Sequence, residues 1–269
     1  LQRFLRQAEE ALCLRGIEAP MMTVKGDGSL MSTETAARRP VETILSGPAA
    51  SVAGARYLTG HDAATVVDMG GTTTDTASLS EGQVRVSPEG TRVGGWQTHV
   101  KALQMRTEGL GGDSRIAIDE QELKIGPRRV APIAWLGTAV DGTHEALDYL
   151  RRHVDEFATR TGGMDVMALT GREPSAELPE RQSQVMAALR ARPRSLAELA
   201  EMVGRGHWTL LKLRELEEQH LVQRCGLTPT DLLHAGGEFR RWDEAASRAA
   251  CEVFAEISGR STDDFIGWV

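Results

Sequence analysis

The sequence predicts a mixed α/β fold, and two kinds of pattern carry this prediction. Residues 66–79 are typical of two strands around a tight turn, because an apolar run leads into Gly70-Gly71-Thr72 and small polar and apolar residues then alternate. Helical patterns occupy four longer stretches, at residues 2–16, 46–58, 146–157 and 243–257. Strands and amphipathic helices therefore follow one another along the chain.

The composition is that of an ordinary globular protein. Of 269 residues, 41% are hydrophobic and 26% are charged, and the formal net charge of −7 argues against general nucleic-acid binding. No apolar run approaches the roughly 20 residues that span a bilayer, and no signal peptide is recognisable. The three cysteines are far apart and form no metal-binding or disulfide pattern, so we expect a reducing cytoplasm. Because the chain starts at Leu1 and is already in a helical pattern, we expect a fragment.

The first third of the chain alternates short helices and strands. Gly16 is expected to end the first helix, and Pro48 suits the first turn of the helix that follows Ser46, the expected N-cap. The predicted elements are a helix at 2–16, a strand at 21–25, a helix at 32–38 capped by Ser32 or Thr33, a strand at 41–45, a helix at 46–58, and strands at 74–79 and 83–87 joined at Glu81-Gly82.

The middle of the chain contains a second glycine-rich segment, residues 107–118. Gly111 and Gly112 permit a close approach of the backbone to a ligand, and Asp113 is the polar group best placed to add chemistry; a plain glycine-rich connection between strands is the alternative. Beyond it we predict strands at 122–125, 129–133 and 165–169 and a helix at 146–157.

Residues 178–224 are predicted to form a winged-helix-like insertion. The pattern is a helix at 182–191, a helix at 196–203 capped by Ser195, a turn, a helix at 207–219 and a strand at 221–224. Residues 180–224 carry eight Lys or Arg against six Asp or Glu, a net of only +2, and the helix that would read DNA contains Glu215, Glu217 and Glu218. A packing or interaction module is therefore favoured over a DNA-binding one.

The turn at Gly70-Gly71-Thr72 is the strongest candidate for a ligand site. Glycines let backbone N–H groups converge on an anion, and Asp68 and Asp75 flank the turn with carboxylates that suit a magnesium ion. The dinucleotide fingerprint and the P-loop are both excluded, since the first requires G-x-G-x-x-G opening a helix and the second a Lys where Thr72 stands. An ordinary hairpin with a Gly-Gly turn is the alternative.

Four strings together resemble the hydantoinase A/oxoprolinase family of the actin-like ATPase superfamily. They are Gly28 to Ser32, Pro40 to Ala55 with its Ser-Gly-Pro-Ala, Asp68 to Asp75, and Leu227 to Asp231 with its Thr-Pro-Thr-Asp. The resemblance extends from about Leu1 to Asp231, apart from residues 178–224. The last string is also explained by helix capping, with Thr228 as N-cap, Pro229 at the first helical position and Asp231 at the third.

The resemblance implies an α/β fold with one actin-like (ribonuclease H-like) lobe at 1–177, the winged-helix-like insertion at 178–224, and helices at 225–269 that return to the lobe. It implies an ATP- and magnesium-dependent enzyme that opens a cyclic amide such as a hydantoin or 5-oxoproline. Phosphate would lie on Gly70, Gly71, Thr72 and Thr73 and on Gly111 and Gly112; Asp68 and Asp75 would hold magnesium, and Asp68, Asp75 and Asp113 would be catalytic.

The resemblance also bears on partners. A second phosphate loop, expected from a missing N-terminal portion or another subunit, would complete the nucleotide site, so the isolated chain is expected to be inactive and the enzyme to be a homo- or hetero-oligomer. No nucleic acid or membrane is expected as a partner. Two alternatives stay open: a related ATP-dependent carboxylase subunit, and a non-catalytic nucleotide-sensing regulator with a DNA-reading winged helix.

Overall fold

The computed structural model describes residues 1–81, 83–90, 92–93, 96–157 and 161–269. Its helices and strands confirm a mixed α/β fold. Packing divides the chain into two compact units: unit 1 comprises Leu1–Met69 and Thr73–Glu108, and unit 2 comprises Gly70–Thr72 and Gly109–Val269. This division differs from the predicted domain boundaries at 177 and 224, which remain a prediction.

The described residues of unit 1 form three α-helices, one 3₁₀ helix and ten short strands. Strands β10, β4 and β3 form an antiparallel sheet in that order, and β5 pairs with β4. A small core lies between this sheet and α3, where Ala49 and Val52 pack with Ala77, Leu79 and Leu103. The elements are α1 Gln2–Leu14, β1 Met22–Val24, β2 Leu30–Ser32, α2 Thr33–Arg38, α3 Ser46–Thr59, β3 Ala64–Met69, β4 Thr74–Ser80, β5 Gln83–Val84, β6 Val86–Ser87, β7 Arg92–Val93, β8 Trp96–Gln97, β9 Ala102–Leu103 and β10 Met105–Glu108.

Most predictions for unit 1 are confirmed, and two are wrong. Residues 41–45 do not form a strand; Pro40–Thr43 is a 3₁₀ helix, because Pro40 presets a helical φ that the β-branched neighbours had obscured. Ser46 is not an N-cap but the first residue of α3, whose N-cap is Leu45 in a left-handed conformation with φ 60°. Glu81 lies in the predicted turn, whereas Gly82 lies outside the described residues.

Unit 2 is built around a mixed four-stranded sheet in the order β13-β16-β14-β15, in which β13 and β16 are parallel and the other pairs antiparallel. The hairpin β11–β12 forms a separate two-stranded sheet. The elements are β11 Ser114–Asp119, β12 Glu122–Arg129, β13 Ala131–Pro132, α4 Ile133–Ala139, α5 Thr143–Arg152, β14 Val166–Leu169, α6 Glu180–Leu189, β15 Arg194–Ser195, α7 Leu196–Met202, α8 Arg214–Glu218, β16 Val222–Gly226, α9 Pro229–Ala235, α10 Glu244–Ile257 and α11 Thr262–Trp268.

Two apolar clusters stabilise unit 2. The larger joins α4, α5, α10 and α11 to β11 and the central strands, with Ile116, Leu136, Val166, Cys251 and Phe265 almost fully buried. The smaller gathers α6, α7 and α8 on the sheet around Met167 and Val222. Most residues of this smaller cluster lie within the predicted insertion, and Met167 of β14 completes it.

The helix predicted at 207–219 is wrong. The chain forms a 3₁₀ helix at Trp208–Leu211, passes through Lys212 at φ 52°, and begins α8 at Arg214. Leu211 and Leu213 are both buried in the smaller cluster. Residues two apart lie on nearly opposite faces of a continuous α-helix. The left-handed residue between them lets both side chains reach the same core, and it divides the helix that a winged-helix domain would place on DNA.

Further differences concern element ends. The strand predicted at 129–133 ends early, because Ile133 begins α4. The helix predicted at 146–157 is shifted to α5, Thr143–Arg152, and is followed by a 3₁₀ helix at Val154–Phe157. The short C-terminal helix α11 is not predicted; Ser261 caps it and Phe265 anchors it in the core.

Candidate functional site

The turn Gly70-Gly71 is fastened by its carbonyl groups to the second glycine-rich segment of unit 2. The amide of Gly112 donates to the carbonyl of Gly70, and the amide of Asp113 donates to that of Gly71, each at 2.9 Å. Gly111 makes this contact possible, since a Cβ there would lie 2.6 Å from the Gly70 oxygen. The two glycine-rich segments predicted separately are therefore one backbone junction.

The amides of the second segment are already engaged. The amide of Gly111 donates to the Ser114 hydroxyl at 2.9 Å, and the amide of Ser114 returns a bond to the Gly111 carbonyl at 3.0 Å. On the other side, the Thr230 hydroxyl and amide both donate to the Gly112 carbonyl, at 2.8 and 3.0 Å. The close approach that Gly111 permits is to the backbone of Gly70 and Gly71, and a Cβ at Gly112 would lie 2.9 Å from the Thr230 hydroxyl oxygen.

The amides of the turn Gly70-Gly71-Thr72, in contrast, have no acceptor in the described part of the chain. Gly70 and Thr72 are exposed and Gly71 and Thr73 are half-buried, so the absence of protein partners leaves several donors along one short turn. Consecutive free N–H groups in a glycine turn are suited to an anion such as phosphate.

Asp113 supports this junction. Its Oδ2 accepts from Arg129, with Nη2 at 2.8 Å and Nε at 3.0 Å. The same oxygen would lie 2.6 Å from a Cβ at position 71, so a side chain there would collide with the carboxylate. Asp113 is thus ion-paired and packed against Gly71, which accounts for it as a positioning group.

Asp68 and Asp75 form a pair of like charges in unit 1. They are directly opposite in the register of β3 and β4, and paired residues of an antiparallel ladder share one face with Cβ atoms about 5 Å apart. The Thr107 hydroxyl donates to Asp75 Oδ1 at 2.5 Å, whereas the Asp68 carboxylate has no hydrogen bond or ion pair to any described residue. Opposed carboxylates destabilise a hairpin unless a cation or another function compensates.

Asp231 is explained by helix capping. It is fully buried and accepts from the amides of Thr228, Ile133 and Ala134 at 2.9, 3.2 and 2.7 Å. It thereby forms a capping box with Thr228, the predicted N-cap of α9, and it also caps α4. Burial raises the pKa of the Asp231 carboxyl, against the opposing effect of these donors and of the Thr228 and Ser247 hydroxyls.

The structure also shows contacts that the sequence did not predict. Thr107 begins the second glycine-rich segment and is paired with Asp75 by the strand register, whereas Arg129, the partner of Asp113, lies at the end of β12. In the described residues no group of three or more His, Cys, Asp or Glu side chains could hold a metal, and no helix is long and apolar enough to cross a membrane.

Comparison with known proteins supports the resemblance seen in the sequence. The family model described as hydantoinase/oxoprolinase matches residues 1–133. The resemblance to the hydantoinase/oxoprolinase family is thus confirmed over these residues. The matched segment contains the Asp68–Asp75 hairpin and Asp113, but not Thr-Pro-Thr-Asp at 228–231, so the more extended resemblance remains a prediction. No match was found among curated proteins.

One solved structure is similar to the chain outside as well as inside this family segment. It is acetone carboxylase in a nucleotide-free state, from work on the mechanism of ATP-dependent acetone carboxylation. The match has a TM-score of 0.56 at 16% identity and covers 98% of this chain but 28% of that one. At this identity the similarity concerns the fold alone, and the chain spans little more than a quarter of the length of its structural neighbour.

Proposed function

We propose that the chain is the nucleotide-binding part of an ATP-dependent enzyme that opens a cyclic amide of the hydantoin or 5-oxoproline type. One observation supports this most: the turn is held by the carbonyls of Gly70 and Gly71, and the amides of Gly70, Gly71 and Thr72 have no acceptor among the described residues. The turn joins two strands in which Asp68 opposes Asp75. An ordinary hairpin turn has no need of a second segment to fix its carbonyls, nor of two facing carboxylates.

The residues present fit ATP and magnesium. In this proposal the amides of Gly70, Gly71 and Thr72, with Thr73, bind phosphate oxygens, and Asp68 and Asp75 hold magnesium directly or through its water ligands. Bound in this way, magnesium would neutralise charge on a transferring phosphoryl group, which activates a ring amide for hydrolysis. Asp113 and the Gly111-Gly112 segment act by holding the turn rather than by touching the nucleotide.

A second candidate is a subunit of an ATP-dependent carboxylase. The similarity to acetone carboxylase over nearly the whole chain favours it, because that similarity includes residues 134–269, beyond the family match. Both candidates use the same phosphate turn and differ in the acceptor of the phosphoryl group. The regulator hypothesis is weakened by the break at Lys212 in the helix that would read DNA.

The proposal also covers the partners of the protein and its cellular location. We propose that a second phosphate loop, from another segment or subunit, completes the nucleotide site in a cytoplasmic oligomer. The isolated chain should then bind ATP weakly and hydrolyse none, because an open half-site neither fixes the reactants nor excludes water. Titration calorimetry with ATP and magnesium and a phosphate-release assay on the chain test this; tight binding with steady turnover would contradict it.

The central test is Asp68→Asn in the complete enzyme. We expect loss of ATP hydrolysis with the fold intact, since removing a metal ligand should raise the barrier by several kcal/mol. Asp62→Asn is the control, because Asp62 is an exposed carboxylate that only pairs with Arg56. Phosphate release is measured with 5-oxoproline, with hydantoin, and with acetone plus bicarbonate, which separates the hydrolase from the carboxylase. Activity of Asp68→Asn within about tenfold of wild type would overturn the assignment.

A further inference from the structure

A cavity of ligand size lies in unit 2, among residues that the proposed reaction does not use. It measures about 740 Å³ and is lined by α5 and the 3₁₀ helix after it on one side and by α7 and the segment Arg205–Thr209 on the other. Small-molecule sites in proteins measure about 300–1,000 Å³ and combine aromatic walls with a few polar groups. This cavity has both features.

The walls of the cavity carry ordered aromatic rings. Tyr149 and His153 stack with their ring centroids 4.1 Å apart at an angle of 23°, and the rings of His207 and Trp208 lie 5.2 Å apart. His153 Nδ1 lies 2.8 Å from the Tyr149 carbonyl and donates to it, which leaves Nε2 for another partner. Phe157, almost fully buried, adds an apolar surface.

Arg205 lines this cavity, and its guanidinium contains a donor without an acceptor in the described part of the chain. Its Nε is buried and has no hydrogen-bond partner among the described residues. A buried guanidinium N–H without an acceptor costs about 1–3 kcal/mol or more, and such groups are rare in native proteins. A ligand carboxylate that draws the Arg205 guanidinium toward the cavity would give this N–H an acceptor and remove the cost.

Acidic groups line the same cavity. Glu201 Oε2 accepts from the Tyr149 hydroxyl at 3.1 Å, while its Oε1 makes no hydrogen bond or ion pair with any described residue. Burial, followed by the hydrogen bond and charge of Glu201, raises the pKa of Tyr149 to about 12, so the phenol keeps its proton and donates. Glu156 is a second carboxylate on the lining. These acids favour a cationic group.

We propose that this cavity binds a small zwitterion with an apolar or planar side chain, that is, an α-amino acid or a close analogue. The carboxylate of the ligand pairs with Arg205, its ammonium group with Glu201, and its side chain packs between the Tyr149–His153 stack and Trp208. A purely anionic ligand would face Glu156 and Glu201 without compensation. A purely cationic ligand would leave the Arg205 Nε unpaired.

A ligand packing on Trp208 should change the tryptophan fluorescence, to which all five tryptophans of the chain contribute, so calorimetry is run beside it. We would titrate the whole chain with L-phenylalanine, with 3-phenylpropanoate, which lacks the ammonium group, and with 2-phenylethylamine, which lacks the carboxylate. Titration calorimetry confirms each Kd. We expect L-phenylalanine to bind at least about tenfold more tightly than either single-charge probe, a difference of about 1.4 kcal/mol.

Two variants assign the charges. Arg205→Gln should weaken the binding of L-phenylalanine at least about tenfold without weakening that of 2-phenylethylamine, and Glu201→Gln should weaken the binding of L-phenylalanine without weakening that of 3-phenylpropanoate. Arg214→Gln and Glu218→Gln are matched controls, since these residues form an exposed ion pair that does not line the cavity. Thermal unfolding verifies that each variant is folded, and the probe series on the wild type stands even if one is not.

Three results would overturn the proposal. They are no binding of L-phenylalanine at millimolar concentration, equal binding of the three probes, and control variants that weaken binding as much as Arg205→Gln and Glu201→Gln. None of these results bears on the phosphate turn, because Asp68→Asn leaves the aromatic cavity unchanged and is measured by phosphate release.

Discussion

Replacing Gly111 by Ala should disrupt the junction that holds the phosphate turn. An added Cβ would lie 2.6 Å from both the Gly70 oxygen and the Gly71 carbonyl carbon, which is 0.8 Å inside the 3.4 Å at which ordinary contact begins. All the opposing atoms belong to the backbone, so no side-chain rotation relieves the collision. Overpacking of this kind costs about 1–3 kcal/mol, and we expect the upper end, about 3 kcal/mol.

For a body the size of unit 2, that cost lowers Tm by about 6–12 °C. Thermal unfolding followed by circular dichroism measures it. Gly267→Ala is the matched control: Gly267 lies in α11 of the same unit, and a Cβ there would meet nothing within 4 Å. Removing glycine from a helix should leave that variant as stable as wild type or more stable by up to about 1 kcal/mol.

The same substitution tests the link between the two glycine segments. If Gly111→Ala unfolds within 2 °C of the control, where a cost of about 3 kcal/mol requires a larger difference, the backbone contact is not as close as the structure shows. If the variant is destabilised as expected, the carbonyls of Gly70 and Gly71 are displaced as well. The complete enzyme should then lose ATP hydrolysis without any change to Asp68, Asp75 or the amides of the turn.

The remaining prediction concerns pH. Asp243 caps α10 by accepting from the Ala246 amide at 2.9 Å, and it contacts His144 at 2.8 Å. Burial acts to raise the pKa of Asp243, but these two contacts outweigh it, so the pKa lies below its ordinary value. Its contribution to stability is therefore complete above pH ~4, where the unfolded carboxyl is ionised, and is lost as the pH falls through the lower folded value. Asp243→Ala should cost about 1 kcal/mol at pH 7 and progressively less below pH ~4. Urea unfolding at several pH values measures this, and a difference that is constant with pH would contradict it.

Local patterns were sufficient for the parts of the fold that depend on neighbours in sequence. Gly16 ends α1 with positive φ, Ser32 and Ser195 cap their helices as predicted, and Thr228 is the predicted N-cap of α9. In each case the partner lies within three or four residues. The interactions that decide the structure are then contained in the pattern itself.

Distant contacts decided the parts that failed. Ile133 begins a helix rather than ending a strand because its amide reaches a carboxylate 98 residues further along the chain. Lys212 adopts a left-handed conformation so that Leu211 and Leu213 reach one core. For the site, the sequence identified the turn and its flanking carboxylates, but only the fold shows that Gly111 and Gly112 pack on the turn itself.

Because Asp231 caps both α9 and α4, the presence of the string Thr-Pro-Thr-Asp is evidence for the fold rather than for nucleotide binding. One carboxylate anchors the first turns of two helices, and neither of its oxygens is left for a bound molecule. The fold therefore requires this string whether or not the proposed phosphate turn binds a nucleotide. On the proposed function, a descendant of this protein could lose every nucleotide contact and still keep Asp231 unchanged. Among such descendants the string would mark common ancestry, whereas activity would have to be judged from Asp68, Asp75 and the glycines between them.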